Sequence, residues 1–161
     1  MAHIDGCWLA DESATLDFGA GLVQVLRPVR GVVTLSGPLG AGKTTLVRGL
    51  LRACGVGGPI HSPTYTLVEP YDVPGGRVLH LDLYRIGTPA ELLTLGIDAE
   101  PPETALWLVE WPEHAASVLP PLRLALRLGP QDGGRRLQLR TTTAGDAAAV
   151  ARLCELFPDR A

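Results

Sequence analysis

Apolar residues recur along the chain with two periods, a helical period of about 3.6 residues and an extended period of about 2. The helical period predicts helices over residues 12–26, from a glycine-rich segment to Gly55, from Thr88 to Gly96, and over 145–157. Short apolar or alternating runs predict strands over 31–36, within 61–71, and over 78–84, 105–111, 122–128 and 136–140. Helices and strands that interleave in this way are typical of an α/β fold.

Residues with turn and capping chemistry mark the ends of these elements. Pro28 ends the first helix, whereas Thr88, Pro89 and Glu91 combine an N-cap, a proline in the first turn and a capping box. The turn sequence Gln-Asp-Gly-Gly at 131–134 joins the last two strands as an antiparallel hairpin. We therefore expect a single α/β domain over 1–161, with a mixed, mostly parallel central sheet and a C-terminal antiparallel hairpin.

Composition and charge exclude several classes of protein. The 161 residues are 46% hydrophobic and 19% charged, which is a globular balance, and no apolar run approaches the ~20 residues of a membrane span. The first residues lack the pattern of a secretion signal, so we expect a cytoplasmic protein with no membrane association. A net charge of −3 does not favour tight autonomous binding of nucleic acid. The three widely spaced cysteines favour free thiols over disulfides or a zinc site.

The segment that follows the strand at 31–36 fits the phosphate-binding loop, with Gly37, four residues, then Gly42, Lys43 and Thr44. Glycines let backbone N–H groups surround an anion, the next helix adds its positive N-terminus, and Lys43 reaches the β- and γ-phosphates. Lys43 is also the only lysine among the fourteen basic residues. The residues expected to contact the nucleotide are Gly37, Pro38, Leu39, Gly40, Ala41, Gly42, Lys43, Thr44 and Thr45.

The Mg²⁺ that accompanies a bound triphosphate needs oxygen ligands near the loop. The Thr44 hydroxyl is one, and a carboxylate at the end of a neighbouring strand is expected to be another. Asp82 and Glu110 each follow an apolar run. We favour Asp82 as the magnesium ligand, with Glu110 as a second metal-side ligand or as the base that orients the attacking water.

Other polar residues permit more than one interpretation. Ser62, Thr64 and Thr66 fit either a segment that senses the γ-phosphate or ordinary turn chemistry. His80 within a strand is more typical of a core histidine than of a catalyst, and Arg85 fits either a phosphate contact or an ion pair. The alternating arginines of the hairpin are typical of a solvated strand face, with a partner or RNA surface as the minority interpretation: Arg123, Arg127, Arg136 and Arg140.

The nucleotide is expected to be ATP. A guanine-specific Asn-Lys-x-Asp element is absent, because the only lysine already belongs to the phosphate loop. A small chain with this loop is either an ATPase that serves partner proteins, a small kinase of a nucleoside, nucleotide or metabolite, or a nucleotide-gated adaptor without useful hydrolysis. A kinase needs arginines that close over a second phosphate, for which Arg123, Arg127 and Arg136 are the candidates.

Five stretches carry a resemblance to a known family: GAGKTT at 40–45, SPTYTLVEPY at 62–71, HLDLYR at 80–85, the segment from Glu91-Leu92 to Gly96, and LVEWP at 108–112. In these stretches the chain resembles the TsaE family, bacterial ATPases required for threonylcarbamoyladenosine modification of tRNA. The phosphate loop is shared by many families, whereas the Ser-Pro-Thr-Tyr-Thr segment combined with Glu-Trp-Pro is much more specific.

The resemblance implies a compact P-loop domain that hydrolyses ATP weakly alone and supports the TsaB–TsaD complex, in which TsaD transfers the threonylcarbamoyl group to tRNA. Matched to the family's motifs, Lys43 and Thr44 contact phosphate and magnesium, and Asp82 and Glu110 form the acidic metal-side pair. Thr64 and Thr66 become switch-loop residues, and Trp111 packs near the site or a partner. The adenine pocket of the family implies a role for the segment 11–15. The catalytic set expected on this basis is Lys43, Thr64, Asp82 and Glu110.

Overall fold

The computed structural model describes residues 1–159, the side chain of Asp5 excepted. Its seven strands are β1 (Ala2–Leu9), β2 (Gly31–Ser36), β3 (Val68–Val73), β4 (Gly76–Asp82), β5 (Ala105–Glu110), β6 (Leu124–Gln131) and β7 (Gly134–Thr141). Its α-helices are α1 (Glu12–Val25), α2 (Lys43–Ala53) and α3 (Ala144–Cys154). Three short 3₁₀ turns cover Pro89–Thr94, Ile97–Ala99 and Pro112–His114. None of the helices within 1–159 is long and apolar enough to cross a membrane.

The strands form one sheet in the order β1-β7-β6-β2-β5-β4-β3. The four central strands β6, β2, β5 and β4 run parallel, while β7 pairs antiparallel with β6 and β1, and β3 pairs antiparallel with β4. The mixed sheet with its parallel centre and C-terminal hairpin is thus confirmed. Strands β2 and β5, at the centre of the sheet, are buried on both faces, and all six residues of β5 are buried.

Two apolar layers enclose the sheet. On one face the helices pack through Phe18, Leu22, Leu46 and Leu50, and on the other the 3₁₀ turns contribute Leu92 and Ile97. Glycines let α1 and α2 approach closely. A β-carbon on Gly19 would lie 2.1 Å from the carbonyl oxygen of Leu46, and one on Gly49 would lie 2.1 Å from that of Leu16. The helix that follows the phosphate loop is therefore held at a fixed distance from α1.

The structure differs from the sequence expectations in four elements. Strand β1 was not predicted, because it is an edge strand whose pairing with β7 carries an irregularity between Ile4 and Cys7. The segment after Thr88 begins with the predicted capping box but forms a 3₁₀ helix. The last helix ends at Cys154 rather than at residue 157. The predicted strand at 78–84 ends at Asp82, so this residue lies at the carboxyl end of β4.

Arg123 does not lie on a solvated strand face. Its Nε and Nη2 donate to the two carboxylate oxygens of Asp146 at 2.8 and 3.0 Å, and its Nη1 donates to the carbonyls of Arg30 at 2.8 Å and Pro28 at 3.0 Å. One side chain thus joins the segment after α1 to the first turn of α3. Its hydrogen bond lowers the pKa of Asp146 below its usual value. Arg127 and Arg140, in contrast, are exposed as expected.

We expect Arg123→Ala to lower the free energy of unfolding at neutral pH by about 2–3 kcal/mol, because a largely buried carboxylate loses its charged donor. Since the pKa of Asp146 is lowered in the folded protein, this stabilisation is present above the unfolded pKa of about 4 and is lost as the pH falls through the lowered value. The difference in the free energy of unfolding between the wild type and Arg123→Ala should therefore become smaller at acidic pH. Urea unfolding across pH measures it, with the exposed Arg127→Ala as the matched control; equal stability of Arg123→Ala and Arg127→Ala would contradict the assignment.

Candidate functional site

The loop between β2 and α2 is built on glycines with left-handed backbone. The φ angles are 140° at Gly37, 76° at Gly40 and 103° at Gly42, a region that residues with a side chain rarely adopt. Gly42 is also the N-cap of α2 and supplies no side-chain cap. The first N–H groups of α2 therefore lack a side-chain acceptor from their own cap, which makes this helix end suited to an anion.

A cavity of about 320 Å³ opens over this loop. Its size lies at the small end of the range for small-molecule sites. It brings together the loop, the polar segment after α2, and the carboxyl ends of β4 and β5. It is lined by Leu39, Gly40, Ala41, Gly42, Lys43, Thr44, Thr45, Ser62, Thr64, Asp82, Tyr84, Glu110, Trp111 and Arg135.

Lys43 is held inside the cavity and is only 4% exposed. Its Nζ donates to the carbonyl oxygens of Gly37 at 2.6 Å and Pro38 at 2.9 Å. The same atom lies 4.0 Å from the ring centroid of Trp111, a cation–π distance. Burial lowers the pKa of Lys43 below its usual value, while nearby carboxylates, Glu110 first, act in the opposite direction.

Trp111 reaches Lys43 because its own backbone turns sharply after β5. Its φ is 57°, an uncommon conformation for a bulky residue. Its ring centroid lies 4.9 Å from that of Tyr84 and 5.7 Å from that of His114. The His114 ring is fixed in turn by contact of its Nδ1 with the carbonyl oxygen of Leu83 at 2.8 Å. The rings of Tyr84 and Trp111 line the cavity next to the buried cation, and the His114 ring packs against both of them.

The two predicted acids meet at the carboxyl edge of the sheet. Asp82 and Glu110 are paired in the register of β4 and β5, and they are 3% and 2% exposed. Glu110 accepts from the hydroxyl of Thr44 at 2.9 and 3.1 Å, and its Oε1 lies 2.8 Å from Nε2 of His80. Nδ1 of His80 is buried without a hydrogen-bond partner within 1–159. This assigns the proton of a neutral imidazole to Nε2, which donates to Glu110.

Asp82 connects the site to the segment after α2. Its Oδ2 accepts from the hydroxyls of Ser62 and Thr64, the latter at 3.2 Å, and its Oδ1 accepts from the backbone N–H of Tyr84 at 3.0 Å. Thr66, which the sequence analysis grouped with Thr64, is exposed and does not line the cavity over the phosphate loop. Ser62 and Thr64 are thus hydrogen-bonded to Asp82, whereas Thr66 is not.

The oxygen groups present fit a magnesium ion. The Thr44 hydroxyl and the Glu110 carboxylate face each other at hydrogen-bond distance, and the Asp82 carboxylate stands on the adjacent strand. Mg²⁺ prefers such oxygen ligands and in nucleotide sites takes one or two from the protein, the rest coming from phosphate and water. Within 1–159 no group of three or more His, Cys, Asp or Glu residues is arranged to hold a metal by itself.

Most of the sequence-predicted site residues converge here. Gly37 and Pro38 do not line the cavity but position Lys43 through their carbonyls. Arg85 packs over the ring of Tyr65 at 4.7 Å. The three cysteines are free, as expected.

Arg135 carried no local signal in the sequence, and His80 was more typical there of a core histidine than of a catalyst. His80 lies behind Glu110, and Arg135 enters the cavity from β7, with its Nε donating to the carbonyl of Ala41 at 3.0 Å. Arg135 lies more than ninety residues beyond the loop in the chain. Only the β1-β7-β6 half of the sheet brings it there.

Comparison with known proteins identifies the family. The model of the family described as threonylcarbamoyl adenosine biosynthesis protein TsaE matches residues 9–137. The tRNA threonylcarbamoyladenosine biosynthesis protein TsaE of Haemophilus influenzae is 37% identical over 140 residues, covering 84% of this chain and 89% of that protein. The protein of the same name from Rickettsia typhi is 36% identical over 130 residues, covering 80% and 89%.

The fold has a counterpart among solved structures. The crystal structure of Bacillus subtilis YdiB superimposes with a TM-score of 0.74 over 96% of both chains, at 23% sequence identity. The likeness confirms the expected α/β fold with its mixed, mostly parallel central sheet.

The single lysine permits a direct test of the buried cation. We expect its ε-amine to react with an acylating reagent at least about tenfold more slowly in the folded protein than in urea, because the loop carbonyls and the Trp111 ring cover it. A lowered pKa on its own would speed the reaction, so slow labelling reports occlusion. The exposed N-terminal residue Met1 provides an internal reference, and Trp111→Ala should restore labelling. Equal rates at Met1 and Lys43 in the folded wild type, measured by peptide mass mapping, would contradict the burial.

Proposed function

This chain belongs to the TsaE family, and from that premise we propose that it binds and hydrolyses Mg·ATP as an accessory protein of tRNA threonylcarbamoyladenosine biosynthesis. In this proposal residues 1–161 form one ATPase domain that acts in the cytoplasm on the partner proteins TsaB and TsaD, and reaches tRNA only through them. The observation that carries it is the single cavity in which a glycine-rich loop, the only lysine and two buried carboxylates meet.

The loop and Lys43 supply phosphate binding. Nζ of Lys43 is placed against two backbone carbonyls, which are weaker partners for an ammonium group than phosphate oxygens. A triphosphate that enters the cavity replaces these contacts with charged ones, and the α2 N-terminus adds its N–H groups. The Trp111 ring limits access of water to the cation. Desolvation of this kind strengthens the attraction between the lysine and the phosphates.

Thr44 and Glu110 are the residues proposed to hold Mg²⁺, with Asp82 beside them. When bound, the ion neutralises charge on the β- and γ-phosphates. The sequence favoured Asp82 as the magnesium ligand, whereas the contact between Thr44 and Glu110 supports Glu110 as the acid that shares the metal with the loop. His80 holds the Glu110 carboxylate in place. Asp82 remains available to orient water or complete the ligand set, because its present partners are hydroxyls and one N–H group.

Asp82 also links the site to the proposed switch. Ser62 and Thr64 both donate to the same oxygen of this carboxylate. A change of ligand at Asp82 therefore directly changes the partners of the loop that precedes β3, residues 61–67. We propose that ATP and Mg²⁺ order this loop into a surface for TsaD, and that hydrolysis relaxes it and resets the complex.

The kinase alternative loses its candidate residues in this structure. Arg123 is bound to Asp146, Arg127 is exposed, and Arg136 contacts Asp159. None of these three lines the cavity over the phosphate loop. The arginine that does line it, Arg135, was not among them.

The proposal predicts loss of function in two variants for different reasons. Lys43→Ala should weaken ATP binding at least about tenfold, because a charge-assisted contact to phosphate is lost. Asp82→Ala should bind ATP but release Ser62 and Thr64, and so fail in the coupled reaction. Each is assayed for phosphate release and for threonylcarbamoyl transfer in the presence of TsaB, TsaD and tRNA. Arg127→Ala serves as the exposed control, and full support of modification by both site variants would refute the proposal.

The same assay separates the other two classes of function. Wild-type protein is incubated with ATP alone, with ATP and pooled nucleosides, nucleotides and metabolites, and with TsaB, TsaD and tRNA. Phosphate release that depends on the partners supports the proposed ATPase. A phosphorylated acceptor would instead show a kinase, and nucleotide binding with neither product would show an adaptor.

The role of Thr44 predicts a specific loss of the magnesium effect. We expect Thr44→Val to bind ATP equally well with and without Mg²⁺, whereas Thr44→Ser, which keeps the hydroxyl, should retain the increase in affinity that the wild type gains from the metal. Calorimetric titration with ATP, once in Mg²⁺ and once in chelator, gives for each protein the ratio of the two ATP affinities. A Thr44→Val variant with the full wild-type ratio would remove this residue from the metal site.

A further inference from the structure

Arg135 enters the cavity from the second residue of β7 and contacts two other elements. Its Nε donates to the carbonyl of Ala41 in the phosphate loop at 3.0 Å, and its Nη1 lies 3.4 Å from the hydroxyl oxygen of Thr15 in α1. A β-carbon on Gly42 would lie 2.8 Å from its Nε and 3.5 Å from a methyl carbon of Thr15. The guanidinium therefore lies directly against the loop, on the flank that faces the start of α1.

The charge of Arg135 is not used in the same way as that of its neighbours in the hairpin. Arg123 pairs with Asp146 and Arg136 with Asp159. The two contacts of Arg135 are to a carbonyl and a hydroxyl, which are neutral oxygens. They occupy two of the five N–H donors of a guanidinium. A cation placed at the wall of a cavity with neutral partners keeps both charge and donors available to a ligand.

Arg135 does not contact the residues that are assigned to the terminal phosphates of the nucleotide. The terminal phosphates are assigned to Lys43, Thr44 and the acid pair at the carboxyl ends of β4 and β5. The contacts of Arg135 are instead to Ala41 and α1. A nucleotide whose terminal phosphates face the acids extends its nucleoside away from them. The flank between the loop and α1 is the one that Arg135 occupies.

We propose that Arg135 binds the nucleoside of the nucleotide, with its guanidinium packed on the purine base. This inference rests on the proposed function and adds a residue that determines affinity for the nucleoside rather than for the phosphate chain. A guanidinium is planar, weakly hydrated and able to stack on an aromatic face, which an ammonium group does not do. The bond from Nε to Ala41 anchors the guanidinium beside the phosphate loop, where Arg135 lines the cavity.

The test compares two ligands that share the phosphate chain. Dissociation constants of Mg·ATP and of Mg·tripolyphosphate are measured by calorimetry for the wild type and Arg135→Gln. We expect the variant to bind ATP about tenfold more weakly and tripolyphosphate within about twofold of the wild type, because only ATP carries a base. A parallel loss for both ligands would mean that Arg135 shapes the loop instead, and no loss for either would leave it without a role in binding; both results overturn the inference.

Two further variants keep the result interpretable. Arg135→Lys retains the charge but not the planar group, so it should also bind ATP weakly; wild-type affinity in this variant would contradict stacking. Arg127→Gln removes the same charge from the exposed part of the hairpin and should leave both constants unchanged. Thermal unfolding confirms that each variant is folded. If the wild type binds neither ligand, the proposed ATPase function fails; if it binds both and only the Arg135 comparison is negative, this inference alone fails.

Discussion

The parallel pairing of β2, β5 and β4 is the constraint on which the site depends. Leu35 pairs with Glu110, and Glu110 pairs with Asp82, so three strand ends that are distant in the sequence finish at one edge. The phosphate loop leaves from the same edge after Ser36. Because successive side chains of a strand point to opposite faces, a slip of one residue would turn Glu110 away from Thr44 and Asp82 away from Ser62 and Thr64. The apolar residues before each acid thus fix the position of the acid itself.

The buried polar groups of the site satisfy one another, and this explains how so many of them remain inside the protein. Lys43 contacts loop carbonyls, Glu110 contacts Thr44 and His80, and Asp82 accepts from hydroxyls of the loop that precedes β3. An unpaired buried charge is costly, so these partners stabilise the site without ligand. The same partners are those that phosphate and metal would replace. Under the proposed function the network would thus exchange one set of contacts for another, which is what a nucleotide-dependent switch requires.

Local chemistry made much of the fold and site predictable from the sequence. The spacing of Gly37, Gly42, Lys43 and Thr44 reflects backbone angles and phosphate geometry that act within a few residues. An acid after an apolar run is also a local pattern, and the structure brings Asp82 and Glu110 together at the loop as that pattern implies. Capping chemistry located the start of the segment at Thr88, although it did not distinguish a 3₁₀ helix from an α-helix.

Other features depend on contacts between distant parts of the chain, and no local pattern predicted them. Strand β1 forms only because β7 offers an edge. The arginines of the hairpin look alike in the sequence, yet Arg123 joins two helices, Arg127 is exposed and Arg135 reaches the phosphate loop. Which of these roles an arginine has depends on the element opposite its side chain. The hairpin therefore contributes Arg135 to the cavity over the phosphate loop through its position in the sheet, and the candidate site extends beyond the segment that contains its motifs.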